Sequence, residues 1–125
     1  MAPAPEKLTY FLNVKKFTLV ASFTGAFGED CGTLLQKCIE EIRQNKDVRF
    51  VVLNMQGATA IDPGAIRAFA QFQVFLREGR KIYLSGLTHT VEKSLNDAGI
   101  LRTTEVGTDL MSVLQLILKT ETGVA

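Results

Sequence analysis

The residues with the most chemical potential in this chain are one histidine, His89, two cysteines, Cys31 and Cys38, and an Asp62-Pro63 pair. A catalytic histidine needs a nucleophile to activate or a carboxylate to orient it. His89 opens a predicted helix, and no Cys–His or Ser–His–Asp companion is identifiable by spacing, so it reads as a capping or solvated residue. The cysteines fall seven residues apart in one predicted helix. At a rise of about 1.5 Å per residue their Cα atoms lie about 10 Å apart, and a disulfide spans less than about 7 Å. They read as small core residues of a protein in a reducing compartment. There is no Gly-x-Gly-x-x-Gly run, no P-loop and no Cys, His and Asp cluster with metal-ligand spacing. The residues therefore imply no catalytic group, no cofactor and no metal.

Asp62-Pro63 carries a different chemistry. An apolar strand core, Phe50 to Leu53, runs into a short loop that ends on this pair, and an amphipathic helix follows. Aspartate is a good N-cap, because its carboxylate can accept from the orphan N–H groups of the first turn. Proline suits the next position, where its fixed φ is already helical and its missing N–H has no partner to lose. The plain structural reading is punctuation, a cap whose loss would cost about 1 kcal/mol. The functional reading is that a buried strand delivers a helix N-terminus to the surface, where a partner can reach it. At 100° per residue, Ala65, Ala68, Phe69, Phe72, Phe75 and Leu76 share the core arc of that helix. Ile66, Ala70 and Val74 line up beside it, next to Arg67 and Gln73, as either a partner contact or a wider core.

The elements that hold this junction read in order. Met1–Lys7 is an arm containing Pro3 and Pro5. Leu8–Val14 and Phe17–Thr24 are strands joined tightly through Lys15-Lys16, and Gly25-Ala26-Phe27-Gly28 breaks the second. Glu29 to Asn45 is a helix with a Cys31, Leu34, Leu35, Cys38, Ile39 and Ile42 stripe, and with Glu29 and Asp30 in its first turn. Arg49–Met55 is a continuous apolar run suited to a central strand. The helix after Asp62 ends near Glu78, with Gly79 as its stop. Lys81–Ser85 is a strand, Thr88 or Thr90 caps a helix that stops at Gly99, Thr103–Val106 is a short strand, and Thr108–Lys119 is an apolar helix before a tail, Thr120–Ala125. Strand–helix alternation after residue 45 predicts parallel strands with right-handed crossovers, behind an antiparallel opening hairpin. The expected fold is a single α/β domain over residues 8–119, of order β-β-α-β-α-β-α-β-α.

Composition narrows the function class. In 125 residues, 46% are hydrophobic, and 14 basic against 13 acidic side chains leave a formal charge of +1. Nucleic-acid binding needs a concentrated basic excess, which is missing. No apolar stretch has the length of a signal peptide or a membrane span, so the chain reads as cytoplasmic without direct membrane insertion.

The register Leu53-Asn54-Met55-Gln56-Gly57-Ala58-Thr59-Ala60-Ile61-Asp62 resembles, position by position, the central motif of the STAS domain family, the anti-sigma factor antagonists and their relatives. The family pattern reads roughly L-D-L-S-G-V-T-x-I-D-S-S-G. Gly57, the helix after Asp62, the strand Lys81–Ser85 and the Ala98-Gly99-Ile100 exit are similar to family counterparts, over about residues 8–119. The resemblance implies the element order given above and a non-catalytic module of bacterial partner switching or a stressosome-type pathway. It implies docking through the surface around Thr59, Asp62, Pro63, Gly64, Ala65 and Ile66, which Ala70 and Val74 extend if the stripe is a partner contact. The implied partner is a serine kinase that is also an anti-sigma factor, or another STAS chain, with a homodimer as one form. In switching members a serine after the motif's aspartate is phosphorylated, and phosphate at a contact surface can abolish docking. Here Ser-Ser-Gly is Pro63-Gly64-Ala65, so the usual switch has no acceptor. Asn54 replaces the strand-end aspartate and Gly28 replaces an acidic residue, with Glu29 and Asp30 following. Thr59 and Thr24 are the remaining candidate phosphoacceptors, read as locally hydrogen-bonding threonines. The other readings are a STAS subunit of a lipid-transport ABC assembly, and a small-ligand sensor using the helix N-terminus as an anion site, which Pro63's missing donor weakens.

Overall fold

The computed structural model describes residues 8–99, 105–107 and 109–122. Its elements are β1 (Thr9–Lys15), β2 (Thr18–Phe27), α1 (Gly32–Arg43), β3 (Phe50–Ile61), α2 (Pro63–Leu76), β4 (Lys81–Ser85), α3 (His89–Asp97), β5 (Glu105–Gly107) and α4 (Leu110–Thr122). This is the expected order. One sheet runs β1-β2-β3-β4-β5, antiparallel in its first pair and parallel thereafter. The opening hairpin turns tightly, with Lys15 opposite Thr18 and Lys16 in the left-handed region at φ 56°.

β3 is central, and its sequence explains why. Val51, Val52 and Leu53 are all fully buried, which requires cover on both faces of the sheet. Leu19, Ala21, Phe23, Val51, Leu53, Ile82 and Leu84 join one core with residues of α1, α2 and α3. Aromatic edges fill it. Phe27 meets Phe69 and Phe23 meets Phe72 in T-shaped contacts, at 5.4 and 6.0 Å between centroids, a geometry that suits the ring quadrupoles. On the other face Val113 and Ile117 of α4 cover Val52 and Tyr83.

Several sequence-based boundaries move. β3 does not stop at Met55; the segment expected as a loop continues as strand to Ile61. The reason is two β-bulges. Against β2, the step Ser22 to Thr24 is matched by Asn54 to Gly57, and the step Gly25 to Ala26 by Ala58 to Ala60. Each inserts an extra residue on β3. Inward positions therefore fall at Met55, Ala58 and Ile61, every third residue, and the period of two disappears. β2 likewise runs on to Phe27, because Gly25 at φ 103° absorbs the irregularity instead of ending the strand.

α1 starts at Gly32, not Glu29, since Cys31 N–H donates to the Gly28 carbonyl in a turn, leaving Glu29 and Asp30 ahead of the helix. Its last helical residue is Arg43, short of Asn45. Thr88, not Thr90, caps α3, its hydroxyl accepting from Val91 N–H at 3.4 Å. Gly79 and Gly99 follow α2 and α3 with φ 74° and 75°, as helix stops. α4 extends to Thr122, beyond the expected Lys119, so the expected tail begins as helix. The last strand is Glu105–Gly107. The expected arm at 1–7 and the expected positions at 100, 103, 104, 108 and 123–125 lie outside the described residues.

Gly57 sits where the first bulge closes. A Cβ there would lie 2.8 Å from the Phe23 carbonyl oxygen and 3.3 Å from Thr24 Cα, both backbone atoms. Backbone cannot yield as a side-chain tip can. Gly57→Ala should therefore destabilise the fold by about 1–3 kcal/mol in urea unfolding. An unchanged midpoint would show that the bulge has room to spare.

Candidate functional site

The bulged end of β3 fixes the start of α2. Asp62 N–H donates to the Phe27 carbonyl at 2.9 Å, extending the β2–β3 ladder by one bond. Ala65 N–H then donates to the Asp62 carbonyl at 2.9 Å and turns the chain into α2. Asp62 holds the N-cap position with extended backbone (φ −71°, ψ 150°) and Pro63 follows, as expected. The expected side-chain cap is not made, however, because the Asp62 carboxylate accepts no first-turn N–H. It stands exposed at the surface.

Around this turn the structure gathers Thr59, Asp62, Pro63 and Gly64 as exposed residues. Ala65 is fully buried and anchors the turn; it is no contact surface in the free chain. Thr59 is the extra residue of the second bulge, so it is strand and not loop. Thr24 is exposed on β2, opposite Gly57. Gly64 lies against Glu29, and a Cβ there would come 2.9 Å from Glu29 Cγ. A serine at this position would have to displace the Glu29 side chain.

The helix face divides differently from the wheel. Val74 is 63% exposed, while Ile66 packs against the main core and Ala70 is half-buried. The stripe is thus split between surface and core. Phe75, expected inside, is 42% exposed and is covered by the Arg43 guanidinium at 5.7 Å from its ring. Gln73, which the wheel sets beside the stripe, is 2% exposed.

Sequence reasoning missed a half-open cavity of about 690 Å³ beside Asp62. Leu8, Ala26, Cys31, Leu34, Ala60 and Asp62 are among its walls. With Tyr10 the walls draw on β1, β2, α1 and β3, and no local pattern marks them as neighbours. Tyr10, also in the wall, donates its hydroxyl to Glu41 of α1 at 2.5 Å, tying β1 to α1. Burial, then the Glu41 hydrogen bond, push the Tyr10 phenol well above its usual range.

The chemistry available is limited. At the α2 N-terminus Pro63 offers no N–H and Asp62 brings negative charge, a poor arrangement for an anion. Among the described residues no group of three or more His, Cys, Asp or Glu side chains could hold a metal ion. Both cysteines are free and buried. Burial first, and Asp30 second, raise the Cys31 thiol; burial and then Glu41 push Cys38 up to about 12. Neither is a ready thiolate at neutral pH. His89 is exposed at the start of α3.

Comparison with known proteins adds the family. The STAS domain profile matches residues 32–112, about two-thirds of the chain, a span that includes β3, the Asp62 turn and α2. The chain belongs to the STAS domain family. No curated protein matches it. Among solved structures, an anti-sigma factor antagonist from Mycobacterium paratuberculosis superposes with a TM-score of 0.79 at 13% identity, covering 94% of this chain and 99% of the other. A sulfate transporter family protein from Wolinella succinogenes gives 0.74 at 21% identity, over 88% of this chain and 93% of that one. The Bacillus cell fate determinant SpoIIAA in its phosphorylated form gives 0.62 at 14%, over 86% and 99%. At these identities the likeness establishes a shared STAS architecture. No helix among the described residues is long and apolar enough to cross a membrane.

The thiols offer a direct check. A colorimetric thiol reagent at pH 8 should find no fast-reacting cysteine in the native protein and two after unfolding. The folded Cys38 value lies above the ordinary 9.0, so its contribution to stability is whole below pH 9 and is lost as pH rises towards 12. The melting temperature should fall over that window more steeply in the wild type than in Cys38→Ala. Rapid native labelling would contradict the buried placement.

Proposed function

We propose that this STAS chain is a non-catalytic protein–protein interaction module of a bacterial partner-switching or stressosome-type pathway, docking through the surface at the start of α2. The observation that carries this reading is the exposed turn Asp62-Pro63-Gly64, tied to the sheet by the Asp62 N–H to Phe27 carbonyl hydrogen bond and lacking a hydroxyl at 63–65. A partner meets a rigid feature there, so little ordering entropy is lost on binding. Val74 continues the contact along α2 as an exposed apolar side chain. The partner is a serine kinase with anti-sigma activity or another STAS chain, and the chain is constitutively competent because Pro63, Gly64 and Ala65 accept no phosphate. The anti-sigma factor antagonist among its structural likenesses supports this class.

A second reading is a STAS component of a membrane transport assembly, including a lipid-transport ABC complex. The likeness to the sulfate transporter family protein favours it. The two readings use the same surface and differ in what binds it.

Tagged protein should recover its partner from the native cell, and Val74→Glu should reduce that recovery about tenfold or more while leaving the circular dichroism and melting curve unchanged. Val74 is the clean probe, since Ile66→Glu would also place a charge against the core. A recovered kinase or anti-sigma factor supports the first reading and a transport ATPase the second. Recovery insensitive to Val74→Glu would remove α2 from the interface.

A further inference from the structure

The formal charge of +1 hides an uneven distribution. Lys15 pairs with Thr18, Thr18 with Phe50 and Phe50 with Lys81, so one row crosses four strands at the end of the sheet where β2, β3 and β4 begin. Three connections project beyond that row: the β1–β2 turn, the loop from α1 into β3 and the loop from α2 into β4. The turn brings Lys15 and Lys16, and the first loop brings Lys46 and Arg49. The second brings Arg77, Arg80 and, as the first residue of β4, Lys81. Against these stand two acidic residues, Asp47 and Glu78, and the Glu78 carboxylate lies 3.9 Å from Arg43 of α1. Arg43 and Lys119, in the last turns of α1 and α4, are offset by Glu40 and Asp97 near the ends of α1 and α3. Glu29, Asp30 and Asp62 lie at the opposite end of the sheet. No single stretch of sequence holds the basic excess; the fold assembles it from three separate segments.

Helix dipoles explain part of it, since Lys46 and Arg77 follow the carbonyl ends of α1 and α2. They do not explain Lys15, Lys16, Arg49 and Lys81, which sit at strand ends, where the net dipole is small. All four are exposed. The hairpin turn is the plainest sign. Two-residue turns favour glycine or asparagine at a left-handed position, yet Lys16 holds one at φ 56° and Phe17 follows it. Phe17 is 44% exposed, and Val14, on the other side of the lysine pair, is 42% exposed. The Phe17 carbonyl accepts from the N–H groups of Arg49 and Phe50 at 2.8 and 3.1 Å, and Lys81 N–H donates to the Arg49 carbonyl at 2.9 Å. The tip is thus fastened to the sheet, with two apolar side chains half in solvent and two lysines between them.

We propose that this end of the sheet docks on an anionic lipid surface. A bilayer interface offers both things the patch asks for: a plane of phosphates for the cations and, just beneath, an apolar layer for an aromatic tip. Lysine stems can lie along that layer while their ammonium groups stay among the headgroups. A row of turns at one level of the sheet also matches a plane. A nucleic-acid strand would instead need open aromatic faces for base stacking, and the Arg49 guanidinium already lies over the Phe17 ring, 5.2 Å from its centre. The acidic end is repelled by the same surface, so the attraction also orients the chain. β3 is 12 residues long, and at about 3.3 Å per residue it sets the Asp62 turn roughly 30 Å from the lipid. The docking surface at the start of α2 therefore stays open to solution, and neither reading depends on the other.

Vesicles of defined composition give the test. At about 0.05 M salt the wild type should sediment with phosphatidylcholine vesicles containing about a third phosphatidylglycerol, and salt at about 0.5 M should release it. It should not sediment with pure phosphatidylcholine. Lys16→Glu should lower the partition coefficient about tenfold or more, whereas Arg67→Glu, the same change of charge near the Asp62 turn, should leave it within about twofold. The chain contains no tryptophan, so Phe17→Trp supplies a single reporter whose emission should shift to the blue on anionic vesicles. The emission of Val74→Trp should stay where it is. Unchanged circular dichroism establishes that these variants fold. Absence of binding at low salt, equal binding to neutral vesicles, indifference to Lys16→Glu or an unmoved Phe17→Trp emission would each overturn the proposal. So would retention by single-stranded RNA without affinity for vesicles, which would pass the patch to a nucleic acid.

Discussion

The pairing of β3 with β2 is the constraint on which the rest depends. β3 is buried on both faces, so it cannot slide without turning every inward side chain outward. Its ladder with β2 persists through two bulges and ends in the bond from Asp62 N–H to the Phe27 carbonyl. That bond fixes where α2 begins. The position of α2 in turn sets Phe69 and Phe72 against Phe27 and Phe23. A surface turn is thereby given the rigidity of a core.

The parts legible in the sequence were those governed by local rules. Val51, Val52 and Leu53 form an unbroken apolar run, and an unbroken run means cover on both sides. Lys15-Lys16, Gly79 and Gly99 marked chain reversals and helix ends, because tight geometry restricts the residues that fit. The Asp62-Pro63 helix start was visible for the same reason. What escaped was non-local. The bulges opposite Phe23 and Gly25 depend on a partner strand some thirty residues away, and they convert a strand into an apparent loop. The cap that Asp62 was expected to form is absent although both the residue type and its extended backbone suit one. Phe75 left the core arc of the helical wheel for the surface, with Arg43 of α1 over its ring. The cavity beside Asp62 is assembled from four elements, which no window of sequence contains.

The two faces of the sheet divide the work. Three helices and the larger core lie on one, together with the turn that the docking reading uses. A single helix and a four-residue core lie on the other. The charge pattern follows this division. Glu29, Asp30 and Asp62 crowd the end of the sheet near α2, whereas on the second face β1 and β2 carry a single charged side chain, Lys15, among their described residues.

The Tyr10–Glu41 hydrogen bond has a consequence for the chain's behaviour in concentrated solution. Among the described residues β1 is an edge of the sheet, a seven-residue ribbon whose outer amides and carbonyls can template an extended peptide. Fastening that ribbon to α1 through a phenol keeps it curled against the helix. Lys15 and Lys16 guard its far end by repulsion. Lose the fastening, and Tyr10-Phe11-Leu12 becomes the seed from which fibrils could grow.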